Sequence, residues 1–245
     1  MNSLENPSHR HEASAADSLW KQIEVDARRT LKELADKDPG HPAYFENAVE
    51  REKNFLRVVF EAIEKALKTS TNVAVLFDVD ETLASHKYSR EFPQGKTILR
   101  PVAIPLLQTL QKQGLKIGLF TSRGNPVEQL ELQDWLGALK PFLTPALVIS
   151  TRRHYPGGDS GEFADNLARD YGGEKGVVDA ALIGNDPPST TGDMSKLACL
   201  KALRKDMPEH VVIVDDADYP RVLNEKSGLY GVALREQNAM FLAPL

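Results

Sequence analysis

Residues 72–83 read NVAVLFDVDETL, a short apolar run at 73–77 that passes at once into carboxylates and a hydroxyl. That pattern predicts a buried strand whose end opens on a polar loop. The same grammar repeats downstream. A helix is expected near 102–113, an apolar run LKIGLF lies at 115–120, a helix is expected near 127–136, and ALVIS follows at 146–150. Later come a helix over about 195–205, VVIV at 211–214, a short helix around Arg221, and LYGVAL at 229–234. Strand and helix in alternation imply a mostly parallel sheet covered on both faces, since parallel strands need crossover connections and those helices must pack on the sheet. The expected fold class is therefore α/β, with a doubly wound, mostly parallel sheet over 71–245.

Upstream the periodicity is helical. Leu19, Ile23, Ala27, Leu31 and Leu34 recur three or four apart from Asp17 onward, and DKDPGHP then stops the helix. A second helix over about 43–67 carries Phe45, Val49, Leu56, Val59, Phe60, Ile63 and Leu67 as its buried stripe. Residues 16–70 are thus expected as an antiparallel helical hairpin packed on the following domain, preceded by a polar, mobile tail at 1–15. Residues 151–192 are rich in Gly, Pro, Asp and Arg, and read either as loop-rich elaboration or as a small cap.

The chain has 245 residues, 41% of them hydrophobic and 27% charged, enough for one elaborated domain or two small ones. A net charge of -5 argues against broad, sequence-independent nucleic-acid binding, which needs a strongly basic face. No apolar run approaches the roughly 20 residues that cross a bilayer, so no membrane partner is expected. The first residues lack the basic-then-apolar order of a secretory signal, which sets the cytoplasm as the expected location. Cys199 is the only cysteine, so no internal disulfide can form, and a buried thiol is expected. Six histidines fall at no zinc-ligand spacing.

In open parallel sheets ligands bind beyond the carboxyl ends of strands, which directs attention to four places. After the first run come Asp78, Asp80 and Thr82: one carboxylate at the strand's end that faces the site, and a second two residues on that can sit on the same side of the loop with a proton to give. The alternative for such residues is a turn or helix cap. After LKIGLF come Thr121, Ser122 and Arg123, where a hydroxyl could cap or bind, and a guanidinium would suit a phosphate. In GDMSKLACLKAL, Asp193 or Ser195 can cap a helix and Lys196 then falls in or near its first turn. The helix dipole disfavours a cation there, and a bound anion would compensate; an exposed lysine is the plain alternative. After VVIV, Asp215 and Asp216 repel one another at a buried strand's end, a cost that a hard cation relieves.

In order and wording these four segments resemble the motifs of the haloacid dehalogenase superfamily. The resemblance covers roughly residues 72–234 and leaves the N-terminal helices outside. It implies a phosphatase in which Asp78 is the nucleophile and Asp80 the general acid and base. It implies phosphate binding by Thr82, Thr121, Ser122, Arg123 and Lys196. It also implies Mg2+ held by Asp216, Asp78 and the backbone carbonyl of Asp80, with Asp215 as a close partner. The implied substrate is a phosphorylated small molecule, nucleotide or phosphoprotein.

Several stretches, DVDETL, LRPVAIPLLQTLQKQGLKIGLFTS, DMSKL and VVIVDDADYP, are similar to the small-capped protein phosphatases that act on the RNA polymerase tail. The aromatic insert of that branch is not recognisable here. About seventeen residues separate Leu83 from the helix at Arg100 and Pro101, too few for a helical cap at that place. Two other functions fit the same residues: phosphoryl transfer to a second substrate, and a binding module that docks through the helical hairpin. Arg152, Arg153, His154 and Tyr155 follow the expected strand at 146–150 and stand as a substrate-reading rim or a solvated loop.

Overall fold

The computed structural model describes residues 14–36, 44–87, 96–122, 137–151, 182–183 and 191–242. Its centre is a five-stranded parallel sheet made of β1 (Val73–Phe77), β4 (Lys116–Thr121), β5 (Val148–Ser150), β6 (His210–Asp215) and β7 (Leu229–Ala233), in the order β5-β4-β1-β6-β7. Every residue of β1 and β6 is buried, as befits strands with parallel neighbours on both sides and helices above and below.

Side chains alternate between the two faces. Val73, Val75 and Phe77 join the apolar cluster of α1 (Ala15–Asp36), α2 (Tyr44–Leu67) and α3 (Ala103–Lys112). Ala74 and Leu76 face the other way, onto Leu197, Ala198, Cys199 and Leu200 of α4 (Thr191–Leu203). The chain is thus α/β, a parallel sheet flanked by helices on both faces.

The N-terminal helices share the main core. α1 packs on α2 and α3, while α2 packs on β1, β6 and β7. Phe55, Leu56, Val59 and Ile63 of α2 are at most 1% exposed, and each such side chain contributes roughly 1.5–3 kcal/mol on burial. The exposed Arg57–Glu61 pair on the same helix adds little beside them. α1 begins at Ala15 because Ser14 caps it: the Ser14 hydroxyl accepts from Asp17 N–H at 3.1 Å and donates to the Asp17 carboxylate at 2.9 Å.

Several expectations need correction. Leu67 is 40% exposed, because α2 ends there and the chain turns towards β1. The run at 146–150 is a strand only from Val148, since Pro145 starts a 3-10 turn through Leu147. The helix expected from 195 begins at Thr191, so Asp193 and Ser195 lie within it and not ahead of its start. Residues 84–99, expected only to be too short for a helical cap, hold an antiparallel pair, β2 (Ala84–Lys87) with β3 (Lys96–Leu99). The expected tail, the helix at 127–136 and nearly all of 151–192 lie outside the described residues, so the choice between elaboration and cap is not drawn from them. Among the described residues no helix is long and apolar enough to cross a membrane.

Candidate active site

The sheet brings three of the four expected segments side by side. Phe77 is in register with Leu119 of β4 and Val214 of β6, so the first residues beyond these strands share one edge. Asp78 N–H donates to Val214 O at 2.9 Å, which extends the ladder one step past β1 and fixes Asp78 beside Asp215. By alternation Asp78 continues the row of Ala74 and Leu76, and Asp215 the row of Val211 and Ile213. Both rows face α4, which supplies the cation.

Lys196 Nζ lies 2.5 Å from Asp215 Oδ2 and 3.1 Å from Asp78 Oδ1, and all three side chains are at least nine-tenths buried. Lys196 is therefore neither an exposed lysine nor a first-turn residue. It is the sixth residue of α4, and two carboxylates offset its charge rather than an anion at the helix start. Burial alone would lower its pKa; Asp215 and Asp78 more than reverse that and raise it.

Asp215 is fully buried and its oxygens are occupied from three sides. Oδ2 accepts from Lys196 and from the Tyr219 hydroxyl at 3.0 Å, and Oδ1 accepts from Ala217 N–H at 3.0 Å. Tyr219 stands in a 3-10 turn, Tyr219–Val222, that lies on β7 at Gly231. Any side chain at 231 would collide with the Pro220 carbonyl, its Cβ only 1.7 Å away, so glycine there lets the turn seat the phenol on Asp215.

Asp216 is half-buried, and Arg235 reaches it at 3.7 Å. One carboxylate oxygen each from Asp78, Asp215 and Asp216 fall within 4.8 Å of one another, close enough for one metal ion. Burial, chiefly, pushes Asp78 up to about 7; Lys196 opposes the shift, while Asp215, Asp216 and Asp80 add to it. Burial and then Asp215 push Asp216 up to about 6. Carboxylates so destabilised as anions are chemically suited to a divalent cation, since a bound charge relieves both burial and repulsion. Because Asp215 already serves Lys196, Tyr219 and Ala217, Asp78 and Asp216 are the better placed pair to hold it.

The loop after β1 carries the remaining candidates. Asp80 is half-buried and bridges to Ala84. Thr82 is fully buried, its hydroxyl without a hydrogen-bond partner among the described residues. Between them Glu81 has φ 53, a left-handed conformation that costs a non-glycine residue about 1 kcal/mol or more and persists only where the surroundings impose it. Thr121, at the end of β4, is buried; Ser122 beside it is exposed and accepts from the Thr151 hydroxyl at 3.4 Å. Arg123 and residues 152–155 lie outside the described residues.

Tyr219 is the site residue that sequence reasoning missed. Its signal was a tyrosine four places beyond Asp215 in a proline-containing turn.

A cavity of about 570 Å³ opens at the amino-terminal end of the sheet, against His210 and Tyr230, and includes none of these residues. Three of its charged groups are engaged within the protein: Lys65 pairs with Glu225 at 2.5 Å, and Arg204 donates to the carbonyls of Pro208, Glu209 and Ser227. The Asp78, Asp215, Asp216 and Lys196 cluster lies at the opposite end. The chain matches no protein-family model, no curated protein and no solved structure.

Proposed function

We propose that this chain is a magnesium-dependent phosphomonoester hydrolase of the haloacid dehalogenase type, working through an aspartyl-phosphate on Asp78. The observation that carries the proposal is the Lys196 ammonium lodged between Asp78 and Asp215, with Asp216 completing an acidic cluster at the carboxyl end of the central strands. A binding module has no evident use for a buried carboxylate pushed up to about 7 beside a buried lysine; catalytic sites do. The strand order also supports it. The chain steps from β1 outward to β4 and β5 and then returns to build β6 and β7 on the other side, as a doubly wound sheet does, which puts Asp78 at the switch point where such sheets bind ligands.

In the proposed reaction an Asp78 carboxylate oxygen attacks phosphorus while the ester bond to the leaving oxygen breaks. Asp80 delivers a proton to that oxygen. Asp80 then takes a proton from water as the water oxygen attacks the same phosphorus, breaking the bond to Asp78 and releasing inorganic phosphate. Lys196 offsets the negative charge of Asp78 and of the phosphoryl oxygens. Thr121 and Ser122, at the end of β4, are the proposed hydroxyl contacts, and Thr82 and Arg123 join them on the strength of the resemblance. Asp78, Asp216 and the Asp80 carbonyl would hold Mg2+, with Asp215 orienting Lys196 behind them. The ion supplies the positive charge that lets a carboxylate and a phosphate dianion approach one another.

The test is hydrolysis of an aryl phosphate by the full chain. Activity is expected with Mg2+, and is expected to vanish with a chelator and in Asp78→Asn. Undiminished turnover in either arm would falsify the assignment.

A further inference from the structure

Resting on the hydrolase reading, we infer that Arg100, held by Glu52 of α2, is a positioning residue for the loop that carries Asp78 and Asp80. Arg100 is 1% exposed and follows β3 directly. Its Nε lies 3.1 Å from Glu52 Oε1, both side chains being almost wholly buried. Its guanidinium stands 3.7 Å from the centre of the Phe55 ring, and Nη2 donates to the Ala239 carbonyl. Its own backbone N–H donates to Leu83 O at 2.9 Å. One residue therefore joins α2, the Asp78–Leu83 loop and the segment after β7.

That segment returns to the same loop. Phe241 N–H donates to Glu81 O at 2.9 Å, at the one residue of the loop in the left-handed conformation. Ala239 N–H donates to Leu234 O, and Leu234 N–H to the backbone carbonyl of Asp215, so the line of hydrogen bonds ends on the main chain of the residue whose carboxylate is buried in the site. α2 grips the segment a second time through Asn54, whose amide donates to Gln237 O.

Two carbonyls of the loop, Glu81 and Leu83, thus receive donors from the two segments that Arg100 ties together. A buried ion pair is a poor way to gain stability, since well-packed apolar residues serve as well or better. The guanidinium's hydrogen bond to Ala239 O and its seat over the Phe55 ring are directional, by contrast, and can hold a strained loop in one geometry. The N-terminal helices, which lie outside the resemblance, thereby gain a role in the reaction: they fix the angle at which Asp78 and Asp80 meet the phosphate.

The experiment compares the full chain with Arg100→Met, Arg100→Lys and Glu52→Gln by aryl phosphate kinetics with Mg2+, by Tm, and by amide hydrogen exchange read by mass spectrometry. In Arg100→Met, kcat is expected to fall on the order of 100-fold, the cost of a misplacement near 1 Å, with KM little changed. Exchange is expected to rise over 79–84 and 239–242 and to stay unchanged in β1 and β6. Arg100→Lys keeps the charge facing Glu52 but lacks the fork that reaches Ala239 O. It is expected to recover Tm more fully than kcat, and with Glu52→Gln it carries the test if Arg100→Met does not fold. Unchanged exchange over 79–84 in a folded variant, or kcat that tracks Tm alone, overturns the positioning role. A wild-type chain with no phosphatase activity would sink the hydrolase reading instead, while the exchange measurement still reads whether Arg100 holds the loop.

Discussion

Lys196 and Asp215 form an ion pair of 2.5 Å with the carboxylate fully buried and the ammonium nearly so. Neither partner is cheap to bury alone, and the pair holds only because further groups complete it. Tyr219 and Ala217 N–H do so on the carboxylate, and Asp78 does so on the ammonium at 3.1 Å. Asp78 is the member of this cluster that burial and its acidic neighbours push furthest towards the protonated state. The same acidic neighbours that make its charge costly are those a bound cation would engage.

Lys196→Met should therefore do two things. It should leave Asp215 buried without its cation, a loss of about 3–5 kcal/mol of the kind seen when one partner of a buried pair is removed. It should also abolish turnover of an aryl phosphate. Chemical denaturation and kinetics check both, and Mg2+ should restore more stability to the variant than it adds to the wild type. A variant as stable as wild type would mean that the lysine is not what sustains the cluster.

How much of this could be read beforehand depended on whether neighbours in sequence or neighbours in space do the work. β1 and β6 were legible because a strand buried on both faces writes itself as an unbroken apolar run, and the carboxylates after them follow from where such sheets bind ligands. Lys196 was legible as a candidate, but its placement was not: the helix starts at Thr191, ahead of the residues that looked like caps. β2 and β3, ASHK and KTIL, are too short and polar to carry a strand period, and pair only through each other. Glu52 and Arg100 are long-range partners, which local patterning does not reveal. The stripe of α2 did hold a hint, since Glu52 falls between Val49 and Leu56 at helical spacing, a carboxylate on the buried face that needed a partner.

The raised carboxylates set a pH dependence whose sign can be worked out. Asp78 rises from 3.8 to about 7 and Asp216 from 3.8 to about 6 on folding. Between those values the folded chain binds more protons than the unfolded one, so their contribution is complete below about pH 4 and is lost as pH rises through 6 and 7. Metal-free protein should lose Tm between about pH 4 and 7 relative to Asp78→Asn. Mg2+ needs the ionised carboxylates, so its affinity should rise across the same window and its binding should release protons. Calorimetric titration in two buffers of different ionisation enthalpy measures that release; zero release at pH 6.5 would contradict the account.

Cys199 is fully buried against the sheet, and burial pushes its thiol up to about 12. Thiolate, not thiol, attacks disulfide reagents. The native protein should react with an aromatic disulfide only as fast as it opens, and one equivalent should appear promptly in denaturant. Rapid labelling of the native chain would show that α4 is not seated as described.

Tyr219 offers the most selective probe of how the acidic cluster divides its labour. Its hydroxyl donates to Asp215 Oδ2 at 3.0 Å, on the same oxygen that Lys196 holds. Tyr219→Phe removes that hydrogen bond and keeps the ring, with the Gly231 contact of its turn untouched. A hydrogen bond to a charged group contributes about 1.5–3 kcal/mol, and a loss of that size should appear in denaturation. The functional effect follows from what Asp215 does with the vacated lone pair. With one donor fewer on Oδ2, the carboxylate draws the Lys196 ammonium closer to itself, which weakens the hold of Lys196 on Asp78. With less of that opposing charge, the pKa of Asp78 should rise further, and the acid limb of the kcat/KM profile should move to higher pH than in wild type. Restoring pH should recover much of the lost rate. If instead Tyr219→Phe lowers kcat/KM by the same factor at every pH, Tyr219 acts by shaping the turn and not through the charge on Asp215.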